Sequence, residues 1–306
     1  MQIAELETFL SVADLASFSR AAEQLHVSQP AVSKRIARLE ISLDATLFDR
    51  VGKRVYLTDA GHLLKPRAES LLAGFADTRR LLHNQRQRIE GPLSLATSHH
   101  VGLHRLAPVL QAFNRTYDAV SLDIRFEDSE AAHDLVRRAS SEFAVVTLNP
   151  QGDADLRYEP LWDDPLVFIV AADHELARSG HLELTTLAEH PVILPGLATY
   201  TGRIVASTFA EREIQLKPAL STNYLETIAM LVGIGLGWSV LPACMVTKGL
   251  VTLSTDAPQL HRTLGCVLHP SRTLSNAASA FVDILLTTRD SPAHFAQSGL
   301  PSQSRP

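Results

Sequence analysis

Three polar side chains in one short stretch are the first candidates for a chemical function. Gln29, Ser33 and Lys34 carry an amide, a hydroxyl and an ammonium group within six residues of one another. Such groups form hydrogen bonds with base edges in the major groove of DNA. They could equally belong to a solvated helix face without a partner, so the surrounding elements decide between the two interpretations.

This stretch has the periodicity of an amphipathic helix. Its large apolar residues fall within a narrow sector at helical spacing. They are Val32, Ile36, Leu39 and Leu43. We expect a helix from residue 29 to about residue 43 that buries this stripe, with Ser28 as its N-cap and Pro30 in the first turn. The outer face is small and basic: it contains Pro30, Lys34, Ala37 and Ile41, flanked by Ser33 and Arg38.

Two shorter helices are expected before this one. Residues 3–14 place apolar side chains at helical spacing. Ser19 could cap a second helix that continues through Leu25. Two helices, a tight turn and a third helix with such an outer face match a helix-turn-helix. In that motif the N-terminal part of the recognition helix enters the major groove.

A small hairpin and a long helix follow. Two apolar runs between residues 47 and 58 flank a Gly-Lys turn, which predicts a hairpin. The cations near its tip suit phosphate or minor-groove contacts. They are Arg50, Lys53 and Arg54. A helix should then run from Thr58 or Asp59 towards residue 88 with its apolar positions on one side, which indicates a dimerising helix.

These residues resemble the LysR-type transcriptional regulators. The resemblance is carried by residues that keep the family's order and spacing: Phe9, Ser19, Ala21-Ala22, Leu25, the run 28–33, Leu39-Glu40, the run 47–50, Leu57-Thr58 and Ala60-Gly61. It implies a winged helix-turn-helix, a linker helix that pairs subunits and a C-terminal inducer-binding domain. It also implies tetramers that bend promoter DNA and respond to a small molecule.

The resemblance assigns candidate DNA contacts by position. Gln29, Pro30, Ser33 and Lys34 match the family's groove-facing residues, and Arg50, Lys53 and Arg54 match its wing; together with Ser28 and Arg38 they form the predicted DNA-binding set. Family members often have Arg where this chain has Lys34, so the base preference at that position is expected to differ.

The rest of the chain predicts α/β architecture. Alternating strands and helices from Leu93 to residue 148 indicate one parallel unit, and a second runs from about Leu161 to Leu264. With the resemblance, this gives a two-lobed, periplasmic-binding-protein-like effector domain. The expected domains are 1–58 (winged helix-turn-helix), 59–90 (linker helix and hinge), 91–288 (effector domain) and 289–306 (mobile tail). Lobe I covers about 91–160 and 266–288, and lobe II about 161–265.

A ligand is expected between the lobes, where strands end and helices begin. Unpaired N–H groups at a helix start favour an anion, so we expect an anionic small-molecule effector. The candidate effector-binding residues are Thr97, Ser98, His99, His100, Thr147, Asn149, Thr199, Thr201 and Asn223. The alternative is that several of them only cap helices. We hypothesise that His99 helps to hold an acidic effector.

Two further chemistries remain open. His100 and His104 are four residues apart and could share a helix face as metal ligands, but no acid or cysteine lies near them in sequence, so hydrogen-bonded histidines or ligand contacts are favoured and no metal is expected. Cys244 and Cys266 could form a redox switch, as in a peroxide sensor. Neither has a cation beside it in sequence that would lower a thiol pKa, which favours buried, inert cysteines.

Composition and charge limit the remaining classes. Residues 1–92 have a net charge of +2 and the other residues −7, which suggests that only the N-terminal part meets a polyanion. Two cysteines cannot build a disulfide framework, and no apolar run reaches the 18 or so residues of a membrane span. The N-terminus lacks the basic region of a signal peptide. A solute-binding transport protein is therefore disfavoured.

An enzyme is also disfavoured, because the glycines of residues 233–237 lack GxGxxG spacing and residues 237–241 are not GxSxG. We expect a cytoplasmic protein without cofactor, associated with the nucleoid when bound to DNA. Its expected partners are double-stranded promoter DNA, a small-molecule effector, further copies of the chain as homodimer or homotetramer, and RNA polymerase, with no membrane.

Overall fold

The computed structural model describes residues 1–51, 54–85 and 88–290, without the side chains of Arg50, Val51, Arg54 and His83. The chain divides into two compact units, Met1–Arg86 and Gln87–Pro306. Residues 291–306, for which the sequence predicts a mobile tail, lie outside the described residues. No helix in the described ranges combines the length and the apolar character needed to span a membrane.

The first unit begins with three helices, α1 (Ile3–Leu15), α2 (Phe18–Gln24) and α3 (Gln29–Leu43). The predicted bounds of α1 and α3 are confirmed. The prediction that Ser19 caps α2 is wrong: the helix starts earlier, and the Ser17 hydroxyl accepts a hydrogen bond from the Arg20 amide. Ser17 has the extended backbone that an N-cap needs, whereas Ser19 already lies in the helix.

The core of this unit confirms most of the predicted apolar stripe of α3. Val32, Ile36 and Leu39 are buried together with Phe9 of α1. Leu43 is an exception, since 38% of it is exposed. It is the last residue of α3, and the chain leaves the core immediately afterwards through Asp44 in the left-handed conformation.

A hairpin and one long helix complete the first unit. Strands β1 (Phe48–Val51) and β2 (Arg54–Leu57) pair antiparallel, as predicted. Helix α4 (Asp59–Asn84) ends about four residues before the predicted end. Large apolar side chains along α4 are exposed: Leu63, Leu71, Phe75, Leu81 and Leu82.

The second unit is built on a seven-stranded sheet. The described part of the unit contains eleven strands, of which seven form this sheet. The strands are β3 (Gly91–Thr97), β4 (Val120–Phe126), β5 (Phe143–Thr147), β6 (Arg157–Ala171), β7 (His181–Leu182), β8 (Ile193–Leu194), β9 (Leu220–Ser221), β10 (Ser239–Pro242), β11 (Leu250–Thr252), β12 (Ser254–Thr255) and β13 (Leu260–Leu268). The main sheet has the order β10-β6-β13-β5-β3-β4, with β11 also on β6. Strands β3, β4 and β5 are parallel as predicted, but β13, β6, β10 and β11 pair antiparallel, so the sheet is mixed.

Helices cover this sheet on both faces. They are α5 (His99–Val101), which continues through a π-helical segment (Gly102–Leu106) into α6 (Ala107–Thr116), then α7 (Ser129–Arg137), α8 (Leu184–Ala188), α9 (Tyr200–Ala210), α10 (Leu225–Gly233) and α11 (Asn276–Thr287). Short 3₁₀ turns lie at Glu175–Arg178 and Ala243–Met245. The sequence pattern predicts helices across residues 130–139 and near 201–213, and α7 and α9 agree with these bounds to within about three residues.

Separate apolar clusters divide this unit into two lobes. In lobe I, one cluster places α6 and α11 against β3 and β5, and another places α7 on the opposite sheet face. In lobe II, one cluster surrounds Trp238 with α8 and α9, and another places α10 over β6 and β8. Two strands contribute to the cores of both lobes: β6 and β13.

These two strands are longer than the sequence predicts. The pattern indicates a strand over residues 166–171 and a returning strand over 265–269, whereas β6 begins at Arg157 and β13 at Leu260. Polar residues and prolines interrupt the apolar pattern at the crossing between the lobes. There the β6–β13 register shifts at Gly265, where an added Cβ would lie 2.6 Å from the Glu159 carbonyl oxygen.

We therefore expect Gly265→Ala to destabilise the second unit by about 1–3 kcal/mol, because the new methyl group forces the paired backbone apart. The two tryptophans, Trp162 and Trp238, both lie in this unit, so their fluorescence during urea unfolding reports it selectively. Gly233→Ala is the matched control, because its Cβ would meet only Leu250 at 3.9 Å. Equal midpoints for both variants would contradict the steric argument.

Candidate functional site

The outer face of α3 is exposed as the sequence predicts. Gln29, Pro30, Lys34 and Arg38 are exposed, and Ser33 is half-buried beside the Gln29 side chain, whose Nε2 lies 3.4 Å from Ser33 Oγ. Ser28 occupies the N-cap position. Lys53 lies outside the described residues, and so do the side chains of Arg50 and Arg54, so the predicted wing contacts stay predictions.

A pocket lies where the two lobes of the second unit meet. Its free volume is about 50 Å³. Seven predicted effector residues line it: Ser98, His99, His100, Thr147, Thr199, Thr201 and Asn223. The expectation that strand ends and helix starts converge between the lobes therefore agrees with the geometry.

Two predicted residues are not brought to this pocket. Thr97 is fully buried, and its hydroxyl donates to the Val145 carbonyl oxygen on the neighbouring strand at 2.8 Å. Asn149 closes a turn: its Nδ2 donates to the Gly152 carbonyl oxygen at 2.7 Å, and its Oδ1 accepts from the Gln151 amide. Both side chains use their hydrogen-bonding groups on the backbone and stabilise the fold.

One of the lining residues also matches the capping alternative. The Thr199 hydroxyl accepts a hydrogen bond from the Gly202 amide at the start of α9 and donates one to the Gly196 carbonyl oxygen. Both hydrogen bonds stabilise the local fold. Ser98 is the N-cap residue of α5, but its hydroxyl makes no cap bond within the described helix. Its hydroxyl thus remains available on the pocket wall.

Arg262, which lines the pocket, and its ion-pair partner Asp164 are not among the residues that the sequence predicts for the site. Arg262 on β13 is the register partner of Asp164 on β6, and its Nε donates to Asp164 Oδ2 at 2.7 Å. Only 4% of the Arg262 side chain and 2% of that of Asp164 are exposed. The signal in the sequence is a cation in one and an acidic residue in the other of the two stretches that cross between the lobes, but an apolar pattern does not use such residues.

Buried polar atoms around this pair lack partners. Arg262 Nη1 donates to Thr201 Oγ1 at 2.9 Å, but Nη2 has no hydrogen-bond acceptor among the described residues. Neither ring nitrogen of His100 has a hydrogen-bond partner in the same part of the chain. Burial, and then the charge of Arg262, lower the pKa of His100 to about 2, so the imidazole is neutral at pH 7.

Polar contacts across the pocket mouth join the lobes. Asn223 Nδ2 donates to Asp128 Oδ2 at 2.6 Å, and the Tyr200 amide at the start of α9 donates to the Glu130 carboxylate. We call these two bonds the clasp. His99 lies beside them, with its ring between those of Phe126 and Tyr224 at 5.2 and 4.8 Å.

The histidines behind the pocket have the acidic neighbours that their local sequence lacks. His104 Nε2 lies 3.2 Å from Glu226 Oε1, and the rings of His100 and His104 are 4.8 Å apart. One ligand atom from each of the three residues lies within 4.8 Å of the others. A second such group contains His100, Asp164 and Cys244.

The cysteines differ in exposure. Cys266 is buried as predicted, whereas Cys244 is exposed, so that part of the prediction is wrong. Cys244 lies in the 3₁₀ turn that follows the end of β10, and its side chain is exposed there. Burial raises the pKa of both thiols, and Asp164 adds to the rise at Cys244, so neither environment favours a thiolate.

Comparison with known proteins identifies the family. Residues 86–290 match the "LysR substrate binding domain" model, and residues 3–62 match the "Bacterial regulatory helix-turn-helix protein, lysR family" model. The first match covers more than half of the chain. The chain therefore belongs to the LysR family: it is a LysR-type transcriptional regulator with a substrate-binding domain, as the resemblance predicts.

Relatives and solved structures agree with this assignment. A RuBisCO operon transcriptional regulator of Allochromatium vinosum is 28% identical over 293 residues, covering 94% of this chain and 96% of the relative. Full-length CbnR, solved with its target DNA, has 18% identity and a TM-score of 0.63, covering 94% of this chain and 100% of that chain. The effector binding domain of QuiR, solved with shikimate, has 21% identity and a TM-score of 0.58, covering 65% of this chain and 96% of that one. The two structures establish a shared fold.

We expect Arg262→Met to destabilise the second unit by about 3–5 kcal/mol, because it leaves the Asp164 carboxylate buried without its partner. Adding Asp164→Leu should restore most of that loss, since no unpaired charge remains. Tryptophan fluorescence during urea unfolding measures both. The control is Arg212→Met, which removes the ion pair with Asp256 and should lower the stability far less, because solvent screens that pair. A double variant no more stable than Arg262→Met would refute this account.

Proposed function

We propose that this regulator senses a small carboxylate in the pocket between its lobes and transmits the bound state to a DNA-binding unit that uses α3. The proposal is carried by Arg262, which lines the pocket and whose buried Nη2 has no hydrogen-bond acceptor among the described residues. Such a donor costs free energy until an acceptor pairs with it, and a carboxylate is the acceptor that suits a guanidinium best.

Several donors converge on the same space. The Ser98 and Thr201 hydroxyls and the neutral His100 ring line the pocket with Arg262. One further donor, the Tyr200 amide at the start of α9, already holds the Glu130 carboxylate. An effector carboxylate would therefore either pair with Arg262 or displace Glu130 from a helix N-terminus that favours anions.

The size of the pocket supports a conformational mechanism. A free volume of about 50 Å³ is far below the roughly 300–1,000 Å³ of typical ligand pockets. A ligand larger than a few atoms thus requires the clasp to open. An effector with different affinities for the closed and open lobes would shift their populations and thereby the state presented to DNA. Shikimate in the QuiR domain is a precedent for a small carboxylate on this fold.

DNA reading and self-association are assigned to the first unit. The exposed amide and ammonium groups of Gln29 and Lys34 suit base edges, with Ser28, Pro30, Ser33 and Arg38 around them and Arg50, Lys53 and Arg54 on the wing. CbnR bound to its target DNA provides a precedent. The exposed apolar side chains of α4 support pairing with a second copy, and the family resemblance extends this to a homotetramer that contacts RNA polymerase.

Catalysis and transport are not part of this proposal. The matched family consists of transcriptional regulators, and the relative from Allochromatium vinosum is one of them. Because chromosomal DNA is the proposed partner, we place the protein in the bacterial cytoplasm.

We expect Lys34→Ala to weaken specific DNA binding by about 1–3 kcal/mol, because a base contact in the major groove is lost. The measurement is an electrophoretic mobility shift on the DNA flanking the protein's own gene, at two salt concentrations. Lys217→Ala, which removes an exposed lysine of the second unit, is the matched control and should bind as the wild type does. If all sequences bind equally weakly and modest salt abolishes binding, the basic segment is only a polyanion surface.

We expect Thr201→Val to weaken carboxylate binding about tenfold, because Arg262 Nη1 loses the hydroxyl that orients it. Small mono- and dicarboxylates are screened for a rise in the melting temperature of the protein, and the neutral amides of the same compounds serve as comparison. The affinity of a carboxylate that raises it is then measured by calorimetry. Thr208→Val is the matched control: it lies in the same helix, and its hydroxyl donates only to the Ile204 carbonyl oxygen.

The same measurement tests His99, which lines the pocket beside the clasp. His99→Ala should also weaken carboxylate binding. Unchanged affinity in His99→Ala would remove His99 from the effector site. Unchanged affinity in Thr201→Val, or equal stabilisation by the neutral amides, would remove the carboxylate assignment itself.

A further inference from the structure

The histidine cluster behind the pocket has the geometry of a ligand set. His100 and His104 project from consecutive turns, their rings 4.8 Å apart, and Glu226 approaches His104 from α10 with Oε1 3.2 Å from Nε2. One ligand atom of each residue lies within 4.8 Å of those of the other two. Small side-chain rotations would bring all three atoms to about 2.0–2.2 Å from one central ion.

The backbone between the two histidines is unusual in the same place. His100 lies two residues before the π-helical segment Gly102–Leu106, and His104 lies within that segment. Such widened turns occur mostly at functional sites. They change which side chains lie over one another, and here two tilted imidazoles lie side by side, one of them, His104, in contact with Glu226 from the other lobe.

His100 supplies the independent observation. Only 4% of its side chain is exposed, and neither Nδ1 nor Nε2 has a hydrogen-bond partner among the described residues; Asp164 Oδ2 lies 3.7 Å from Nε2, beyond hydrogen-bond distance. Native proteins rarely leave such atoms unpaired, and a bound ion is one of the accepted explanations. His104 and Glu226 are partly exposed, at 37% and 38%, so an ion has an entry path.

The donor types select the class of ion. Two imidazoles and one carboxylate suit Zn²⁺ and its first-row neighbours, whereas Mg²⁺ and Ca²⁺ prefer all-oxygen sites. The cations nearby, Arg105 and Arg262, both lie against Asp164, at 3.8 and 2.7 Å, so their charge is partly balanced. The alternative group with Asp164 and Cys244 is weaker for the same reason: its acid is already bonded to Arg262.

We propose that His100, His104 and Glu226 bind a divalent first-row transition-metal ion of the Zn²⁺ class. The histidines belong to lobe I and Glu226 to lobe II, so the ion would tie the lobes together beside the effector pocket. Two of the three ligands, His104 and Glu226, do not line that pocket. The two sites share His100, but the tests of the metal site act on His104 and Glu226, which neither the carboxylate proposal nor the DNA-binding proposal uses.

The test uses the full-length protein after treatment with a chelator and its removal. Co²⁺ is titrated in, its visible absorption reports coordination by protein ligands, and Zn²⁺ is then added to displace it. We expect one equivalent to bind, Zn²⁺ to displace Co²⁺, and Mg²⁺ to leave the spectrum unchanged. His104→Ala and Glu226→Gln should each weaken Co²⁺ binding by more than about tenfold, since each removes a ligand.

Three controls separate this site from the alternatives. His190→Ala removes the other exposed His–Glu pair, with Glu175, and should retain full metal binding. Cys244→Ser should retain it too, because Cys244 belongs to the competing group. In the metal-free proteins, the melting temperature and DNA binding of His104→Ala should be close to those of the wild type, which excludes misfolding.

Two results would overturn the proposal. In the first, His104→Ala and Glu226→Gln bind Co²⁺ as tightly as the wild type. In the second, His190→Ala or Cys244→Ser removes the binding instead, which would place the ion at an exposed pair or in the group with Asp164. Loss of carboxylate binding alone would concern only the proposed effector.

Discussion

The ion pair of Arg262 with Asp164 is the interaction on which the second unit depends. It joins β13 and β6, the two strands that contribute to the cores of both lobes, at the point where the chain crosses between them. Removing two charges from water is costly, and the cost is offset only because Thr201 and Arg105 surround the pair. The same guanidinium leaves one nitrogen for the pocket. The scaffold and the proposed ligand preference therefore depend on the same residue.

The lobes and the bonds between them differ in physical character. Each lobe has closely packed apolar clusters on both faces of the sheet. Across the pocket mouth the clasp is polar: Asp128 bonds Asn223, and Glu130 bonds Tyr200. Each such bond contributes on the order of 1 kcal/mol net and can be exchanged for a bond to a ligand. Breaking the clasp therefore costs less free energy than disrupting the core of either lobe.

The DNA-binding unit separates its tasks on a single helix. The inner side of α3 places Val32, Ile36 and Leu39 in the core, while Gln29 and Lys34 lie on the outer side. Helical periodicity assigns both sides at once, because a residue's position along the helix determines its face. This is why the predicted face of α3 agrees with the structure almost residue for residue. The exception, Leu43, follows from where the helix stops.

The sequence by itself therefore determined what depends on short-range pattern: the helix-turn-helix and its outer face, the parallel strands β3, β4 and β5, and the helix starts that line the pocket. Only the tertiary structure decided which distant residues meet. Arg262 and Asp164 are 98 residues apart, and His104 and Glu226 are 122 apart. Such pairs leave no periodic signal, and polar residues in β6 and β13 even conceal the strands that bring them together. Their contacts arise from strand register and lobe closure, which are properties of the folded chain.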